Sequence, residues 1–161
     1  MKKILMFTLL AMCVAAIASC SKYNVDCSGD WSNAEDRLRY ISVDDDGFMT
    51  EYYLSAEYKY SNVANYGVTD FVTFKDGVLH ISTKAVTTKD NDGVKAGTEI
   101  TFKPRWVVTS DKDTQIRDGM AFWGTAKVGD VKKKGKKLFL PSIGAGHGAY
   151  EYDRLNKIEM D

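Results

Sequence analysis

Residues 48–60 read FMTEYYLSAEYKY, and this stretch decides the fold class. Its apolar and aromatic side chains recur at every second position, as at Tyr52, Leu54, Tyr58 and Tyr60, while polar side chains occupy most positions between them. A period of two over so long a stretch is typical of a β-strand with one buried and one solvated face. At about 3.3 Å per residue the strand would be about 40 Å long, so we expect a bend or a bulge within it.

The sequence on both sides of this stretch repeats the alternation between turn residues. Asp76-Gly77 separates two alternating runs and is a strong hairpin signal. Pro104 cannot donate a backbone hydrogen bond, so it marks a sheet edge or a bulge. Strands are predicted at 37–43, 48–60, 68–75, 78–87, 98–109, from 115 or 116 to 128, 138–140 and 149–157. Eight strands without a helix predict an all-β, eight-stranded antiparallel up-and-down barrel, with a two-sheet β-sandwich as the alternative.

The composition limits the classes of function. The chain has 161 residues, with 22 basic and 22 acidic side chains and a formal net charge of zero. This balance argues against a protein that binds nucleic acid, which would carry a basic excess. A hydrophobic fraction of 44% and a charged fraction of 27% are typical of a globular domain. Outside the N-terminus no apolar run reaches about 18 residues, so we expect no internal membrane span.

The sequence predicts no enzyme active site, no cofactor and no metal site. Zinc-protease and nucleophile-elbow motifs are absent. The acidic runs 44–47 and 111–113 lack the Gly and Glu spacing of a calcium-binding loop, so both are interpreted as solvated turns. His80 alternates with strand residues, and His147 lies in a glycine-rich loop without an identifiable partner. Neither histidine therefore has the orienting group that a general base needs.

The N-terminal segment resembles the signal peptide of bacterial lipoproteins. Met1-Lys2-Lys3 precedes an apolar run over 4–17 that is too short to span a bilayer with ordinary flanks. Ile17-Ala18-Ser19-Cys20 is similar to the lipobox of that family. The resemblance implies cleavage before Cys20, a diacylglycerol on its thiol and an acyl chain such as palmitate on its amine. An ordinary secretory signal, cut nearby, is the alternative interpretation.

Lipidation at this cysteine would define the organisation of the chain and its location. The predicted parts are a signal peptide at 1–19, a lipidated tether at 20–28 and a β-barrel domain at 29–161. Loss of Lys2 and Lys3 would leave 20 basic and 22 acidic residues, a net charge near −2. Ser21, rather than an aspartate after the lipidated residue, implies the outer membrane, with the periplasmic face favoured and surface exposure as the alternative. Cys27 would be the only unmodified cysteine, so no intramolecular disulfide is expected.

Two features of the predicted barrel domain resemble the lipocalin family. Gly29-Asp30-Trp31 fits a G-x-W at the first barrel strand, and Arg154 lies in the last predicted strand. The resemblance implies that Trp31 closes one end of the barrel and that Arg154 packs across its indole, a contact worth about 0.5–2 kcal/mol. Together with the lipobox, the chain resembles small lipocalin-like lipoproteins of Gram-negative bacteria. It departs from lipocalins after Lys157, where little sequence remains for their helix. The avidins also begin with G-x-W-x-N, but their later tryptophans have no counterparts here.

The aromatic side chains are the best candidates for a binding site. An eight-stranded barrel either fills with side chains or leaves room for one small ligand. The predicted ligand wall for a small, apolar molecule consists of Tyr52, Tyr58, Tyr60, Phe102, Trp106 and Phe122; the alternative is that these residues are core. Trp123 and Tyr53 have the opposite parity, so their exposure would indicate a surface that binds an envelope protein or a glycan. The basic run 132–137 is interpreted as a charged hairpin tip, with attraction to anionic lipid head groups as the alternative.

Overall fold

The computed structural model of the chain describes residues 26–143 and 149–161. The predicted signal peptide at 1–19, the predicted lipidation site Cys20 and most of the predicted tether lie outside the described residues, and so does His147. Within the described part of the chain, no helix is long and apolar enough to cross a membrane.

The described residues are almost all in strands or turns, which confirms the all-β prediction. The strands of the first half are β1 (Gly29–Asn33), β2 (Arg39–Val43), β3 (Phe48–Tyr58), β4 (Ser61–Asn62), β5 (Val72–Lys75), β6 (Val78–Ile81) and β7 (Lys84–Val86). The second half contributes β8 (Glu99–Thr101), β9 (Lys103–Arg117), β10 (Met120–Trp123), β11 (Ala126–Asp130), β12 (Lys132–Lys134), β13 (Lys137–Leu140), β14 (Tyr150–Leu155) and β15 (Lys157–Met160). A short 3-10 helix covers Val63–Tyr66.

Nine strands form one antiparallel, nearly closed, barrel-like sheet. Their order is β11-β10-β9-β3-β2-β1-β14-β13-β12, and β4 adds to the end of β3. The two terminal strands of this order, β11 and β12, are separated in the chain by Val131 alone. The Val131 side chain is buried in the barrel, and its N–H donates to the Gly119 carbonyl at 2.8 Å. A single stretch of chain therefore supplies both edges of the sheet.

Residues between β3 and β9 form an additional unit beside the barrel. β5 and β6 make an antiparallel hairpin, and β15 from the C-terminus pairs with β6 in parallel. β7 and β8 form a separate two-stranded sheet. We call residues 59–102 the inserted unit. It joins β3 and β9, which are direct neighbours in the barrel, so the barrel strands on its two sides still follow one another in chain order around the sheet.

The structure corrects several predicted elements. The hairpin at Asp76-Gly77 exists, but its strands belong to the inserted unit and not to the barrel. The stretch predicted as one strand from 115 or 116 to 128 is three strands, because turns follow Arg117 and Trp123. The last predicted strand, 149–157, is divided between the barrel strand β14 and β15. The eight-strand count is therefore not the observed one, and the β-sandwich alternative does not describe the sheet order.

Strand β3 buries opposite faces in its two halves, and its pairing with β9 contains the expected irregularities. Met49 and Glu51 are buried near its start, whereas Leu54 and Ala56 are buried further along. The register with β9 shifts between Met49 and Thr50 and again between Glu51 and Tyr52. The unmatched residues, Lys112 and Asp113 at the first shift and Thr109 at the second, all lie in β9. β3 keeps its alternation throughout, so its odd positions face the barrel core and its even positions face the outer core. One long strand therefore contributes to two different cores.

Two hydrophobic clusters hold the described residues together. The barrel core is centred on Trp31, Ile41, Met49, Leu138 and Tyr152, all at most 1% exposed. The outer core lies between the barrel wall and the inserted unit. It contains Leu54, Ala56, Tyr66, Phe71, Leu79, Ile100, Phe102 and Leu155. A buried side chain of this size contributes about 1.5–3 kcal/mol relative to exposure, so both clusters are major sources of stability.

Candidate functional site

The axis of the barrel is occupied by side chains. Trp31, Met49, Ile116 and Tyr152 reach it from different strands and pack against one another. Burial raises the pKa of Tyr152 above its ordinary value, with a further contribution from Glu51. A barrel of this size is filled once large side chains meet at its centre. The interior that the structure describes is therefore a packed core.

Polar groups gather at the end of the barrel core where β1 ends and β2 begins. Glu51 is only 4% exposed, and its carboxylate accepts a hydrogen bond from Arg39 at 3.2 Å. Arg39 also pairs with Asp36 at 3.2 Å and lies 5.1 Å from the ring centre of Tyr53. Asn33 accepts the backbone N–H groups of the following turn, so its side chain fixes the chain between β1 and β2. This cluster is a satisfied structural network, which sequence reasoning did not identify.

The residues proposed for barrel closure lie together. Trp31 in β1 and Arg154 in β14 are direct cross-strand partners. The guanidinium carbon of Arg154 is 5.0 Å from the centre of the indole, and its Nη1 donates to the Ser28 carbonyl at 2.6 Å. The indole N–H of Trp31 donates to the Cys27 carbonyl at 2.8 Å. Gly29 has a φ of +105° and leaves the space that the guanidinium occupies.

The six residues of the predicted ligand wall do not surround one interior. Four of them, Tyr52, Tyr58, Phe102 and Trp106, lie on the outer face of the barrel wall or in the outer core. Tyr60 is fully exposed at the start of the inserted unit, and Phe122 lies against the guanidinium of Arg117 at 4.1 Å. The parity that the first four residues share with neighbouring outer-face positions of the chain therefore reflects packing of the barrel wall against the inserted unit.

An aromatic cluster marks the border between the outer core and solvent. Tyr40 stacks on Tyr52 with ring centres 4.5 Å apart and an angle of 6°, and Trp106 meets Tyr40 edge-on at 4.7 Å. Burial raises the pKa of Tyr40 to about 12, and Tyr52 and Asp30 add to this increase. Sequence reasoning found Tyr52 and Trp106 but missed Tyr40 of β2, which has the same parity as Leu38 and Ser42 and was detectable by that pattern.

Strand β9 has an open edge in its first half. β3 pairs with one side of β9 from Lys103 to Gln115, whereas β10 pairs with the other side only from Thr114 to Arg117. Along residues 103–112, none of the described strands pairs with that other side. We call this segment the β9 edge. An open sheet edge is a template for pairing with a further strand.

The backbone groups of Trp106 point out of the β9 edge. Leu54 is its cross-strand partner, and the Leu54 N–H donates to the Leu38 carbonyl at 2.7 Å, on the side of β3 remote from β9. In an antiparallel pair, a residue directs its N–H and C=O either both toward its partner or both away. Leu54 directs them away, so Trp106 does the same and presents them at the open edge. The alternation brings the groups of Val108 to the same edge.

Exposed apolar side chains accompany these backbone groups. Val107 is 39% exposed and Val108 is 50% exposed, one on each face of β9. Pro104 and the register shift beside Thr109 limit the regular part of the edge at its two ends. Arg105 is exposed within this part of the edge and Lys103 just before it, and Arg105 pairs with Glu57 of β3 at 3.9 Å. Trp123, at 56% exposed, lies on the neighbouring β10, whereas Tyr53 is half-buried.

Two depressions flank the barrel. An apolar pocket of about 210 Å³ lies between the barrel wall and the inserted unit, lined by Leu38, Tyr53, Ala64, Phe71 and their neighbours. A larger groove of about 510 Å³ lies at the opposite end, where β1 begins, and is lined mainly by aspartates of the 44–47 turn and by Asp118. Among the described residues no group of three or more potential ligands is arranged to hold a metal ion.

The described cysteine and histidine have no arrangement typical of catalysis. Burial raises the pKa of the Cys27 thiol to about 11, with smaller opposing effects of Lys133 and Asp26. Such a thiol is protonated near neutral pH and is a poor nucleophile. His80 lies on the surface, and its Nδ1 is 3.0 Å from a Glu159 carboxylate oxygen.

Comparison with known proteins gives no relatives for this chain: no family model, no curated protein and no solved structure matches it.

Proposed function

We propose that the chain is a lipid-anchored envelope protein that binds a protein partner at the β9 edge. In this proposal Cys20 carries the lipid anchor in the outer membrane, facing the periplasm. The barrel is a lipocalin-like scaffold: if β11 and β12 are counted as one strand bent at Val131, the sheet order is an eight-stranded meander. The proposal assigns no catalysis and no cofactor to the domain.

The β9 edge is the observation that carries the proposal. Trp106 and Val108 present backbone N–H and C=O groups beside exposed valine side chains. A partner can add a strand there, because backbone hydrogen bonds supply affinity and alternate side chains supply specificity. Lys103 favours an acidic side chain in that partner strand, while Trp106 and Val108 favour apolar ones. Glycans offer no regular backbone for this pairing, so a protein partner fits better.

Site-specific crosslinking in intact cells tests the partner. A photo-crosslinking amino acid at position 108 should trap a defined protein, which mass spectrometry identifies. Position 86 is the matched control, because Val86 is 55% exposed but lies in the inserted unit. The same protein trapped equally at both positions, or no adduct at position 108, would count against the proposal.

A proline substitution tests strand addition itself. Val108→Pro removes the outward N–H, whereas Val108→Ala keeps it and removes only side-chain contact. With the purified partner, we expect Val108→Pro to weaken binding about tenfold or more, since a lost hydrogen bond leaves a buried acceptor of the partner unsatisfied. Val108→Ala should weaken binding less. Equal binding by the wild-type protein and Val108→Pro would refute strand addition at this edge.

The anchor and its location are tested separately. Labelled palmitate should be incorporated into the wild-type protein and not into Cys20→Ala. Membrane fractionation and protease treatment of intact cells then distinguish the periplasmic face from the cell surface. Labelling of Cys20→Ala to the wild-type level would exclude lipidation at this residue.

A second candidate function is binding of a small apolar ligand, and the apolar pocket of about 210 Å³ favours it. Ala64→Phe would fill the pocket, and Asn65→Phe is the control because Asn65 is exposed and does not line it. Native mass spectrometry of a form beginning at Ser21 should then detect a ligand in the control but not in Ala64→Phe. Absence of any ligand after exposure to lipid and metabolite extracts would exclude this function.

A further inference from the structure

The hairpin of β12 and β13 presents a basic face with an exposed aromatic ring. Lys132, Lys134 and Lys136 are exposed, and among the described residues none of them forms an ion pair. Phe139 is 38% exposed and has two cross-strand partners, Lys132 on β12 and Glu151 on β14, the second of which pairs with Lys137. A groove of about 450 Å³ runs along this face, lined by Lys132, Lys134, Phe139 and Asp130. Asp130 is paired with Lys127 at 3.3 Å. Uncompensated amines around an apolar ring suit a surface that is both anionic and apolar below its head groups.

The other two lysines hold the hairpin beside the start of the barrel domain. Lys133 Nζ donates to the Asp26 carbonyl at 2.6 Å and lies 5.8 Å from the ring centre of Trp31. Lys137 pairs with Glu151 and, at 3.3 Å, with Asp153. The basic face is therefore fixed next to Asp26, the first residue that the structure describes. Only five residues separate Asp26 from Cys20 in the sequence.

The same end of the barrel is divided by charge. The aspartates of the 44–47 turn and Asp118 line the acidic groove. In the sheet order the 44–47 turn, between β2 and β3, is on the far side of the barrel circumference from β12 and β13. Asp118, between β9 and β10, and Asp26, which also lines the groove, lie nearer to the hairpin. An anionic surface would repel the acidic side and attract the basic side. An orientation with the hairpin toward the surface and the 44–47 turn away from it satisfies both.

We infer that the β12–β13 hairpin docks on anionic phosphate head groups of a lipid surface. Lys132, Lys134 and Lys136 contact the phosphates, and Phe139 enters the interface below them. The inference rests on the proposed anchor for its setting, since a tether from Cys20 to Asp26 spans at most about 20 Å and keeps the hairpin near the membrane. The first half of β9 lies toward the opposite end of the barrel, because β9 reaches the acidic end only at Arg117. Docking thus leaves the β9 edge directed away from the lipid.

Vesicle binding by the unlipidated protein tests this inference independently of the anchor. A form beginning at Ser21 is mixed with vesicles of phosphatidylglycerol and phosphatidylcholine in equal parts, or of phosphatidylcholine alone, and the bound fraction is measured by sedimentation. We expect binding to the anionic vesicles only, and we expect it to weaken as salt shortens the screening length. The triple variant Lys132→Gln, Lys134→Gln, Lys136→Gln should lower the partition coefficient about a hundredfold.

A matched variant separates the hairpin from overall charge. Lys75→Gln, Lys84→Gln, Lys89→Gln removes the same charge from exposed positions of the inserted unit and should bind as the wild type does. Phe139→Ala should retain salt-sensitive binding at reduced strength. Equal binding to both vesicle types, or equal loss in the two triple variants, would overturn the inference. Palmitate labelling of Cys20 and partner binding at Val108 are measured on other variants, so failure here leaves those results separate.

Discussion

Replacement of Gly29 by alanine would test how the barrel is closed. A Cβ at this position would lie 2.3 Å from Nη2 and 2.5 Å from Nη1 of Arg154. Because the guanidinium is the end of a flexible side chain, it would move away and leave the backbone in place. It would then lose its hydrogen bond to Ser28 and its position over Trp31. The expected cost is therefore the loss of these two interactions together with strain at a positive φ.

The magnitude follows from these three contributions. The contact with the indole is worth about 1 kcal/mol, within the usual range for a partly buried cation–π pair. The hydrogen bond adds about 1 kcal/mol. An alanine at positive φ costs about 1 kcal/mol more than glycine. Gly29→Ala should thus lower the free energy of unfolding by about 3 kcal/mol.

Gly97→Ala is the matched control, since Gly97 has a φ of +84° and no atom within 4 Å of a Cβ placed there. It should cost only the strain, about 1 kcal/mol. Urea unfolding of a form beginning at Ser21, followed by tryptophan fluorescence, measures both changes. A cycle with Arg154→Ala should show coupling of about 2 kcal/mol, because both changes remove the same two interactions. Equal effects of the two glycine substitutions, or additivity in the cycle, would refute this explanation of closure.

Three further predictions concern ionisable groups. Burial raises the pKa of Asp153, but hydrogen bonds from Arg37 and Lys137 outweigh it and hold the pKa below its ordinary value. Asp153→Asn should therefore lower stability by about 0.5–1 kcal/mol at pH 7. In urea titrations this difference should begin to shrink as the pH falls below about 4, the unfolded-state pKa, and should vanish once the pH is below the lowered pKa of the folded state. The Cys27 thiol, with its pKa raised to about 11, should react with iodoacetamide about a hundredfold faster in urea than in the folded protein; equal rates would contradict its burial. The difference between the ultraviolet titration curves of the wild-type protein and Tyr40→Phe should show one phenol ionising near pH 12. An ionisation near pH 10 in this difference would contradict the packing of Tyr40.

The local sequence determined the kind of element much better than its place in the sheet. Alternation in 48–60 correctly predicted β3, and Asp76-Gly77 correctly predicted a hairpin. Alternation also made the strands of the inserted unit look like barrel strands, because burial against either core produces the same period of two. The partner of a strand depends on contacts distant in sequence, which no local pattern records. The even positions of β3 alternate as predicted but face the outer core, so the aromatic residues were assigned to the wrong face of the barrel wall.

Much of the proposed interaction surface lay outside the reach of sequence reasoning for the same physical reason. Pro104 indicated an edge, and that indication agrees with the open side of β9. The exposure of Val107 and Val108 depends on the absence of a neighbouring strand among the described residues, which is a property of the whole sheet. The burial of Glu51 could not be predicted either. An acidic residue between the aromatic positions of a strand is expected to face solvent, and only the fold brings Arg39 beside it.

The junction at Val131 couples two strand pairings of the barrel, here called seams: β10 with β11 on one side and β12 with β13 on the other. Only one residue separates the strand that pairs with β10 from the strand that pairs with β13, so the two cannot slide independently. A slip of two residues at one seam would displace the other seam by the same amount and pull Val131 out of the barrel core. Correct alignment on one side therefore enforces alignment on the other. Misaligned forms lose both seams together, which makes the closing step of folding cooperative and selects a single register.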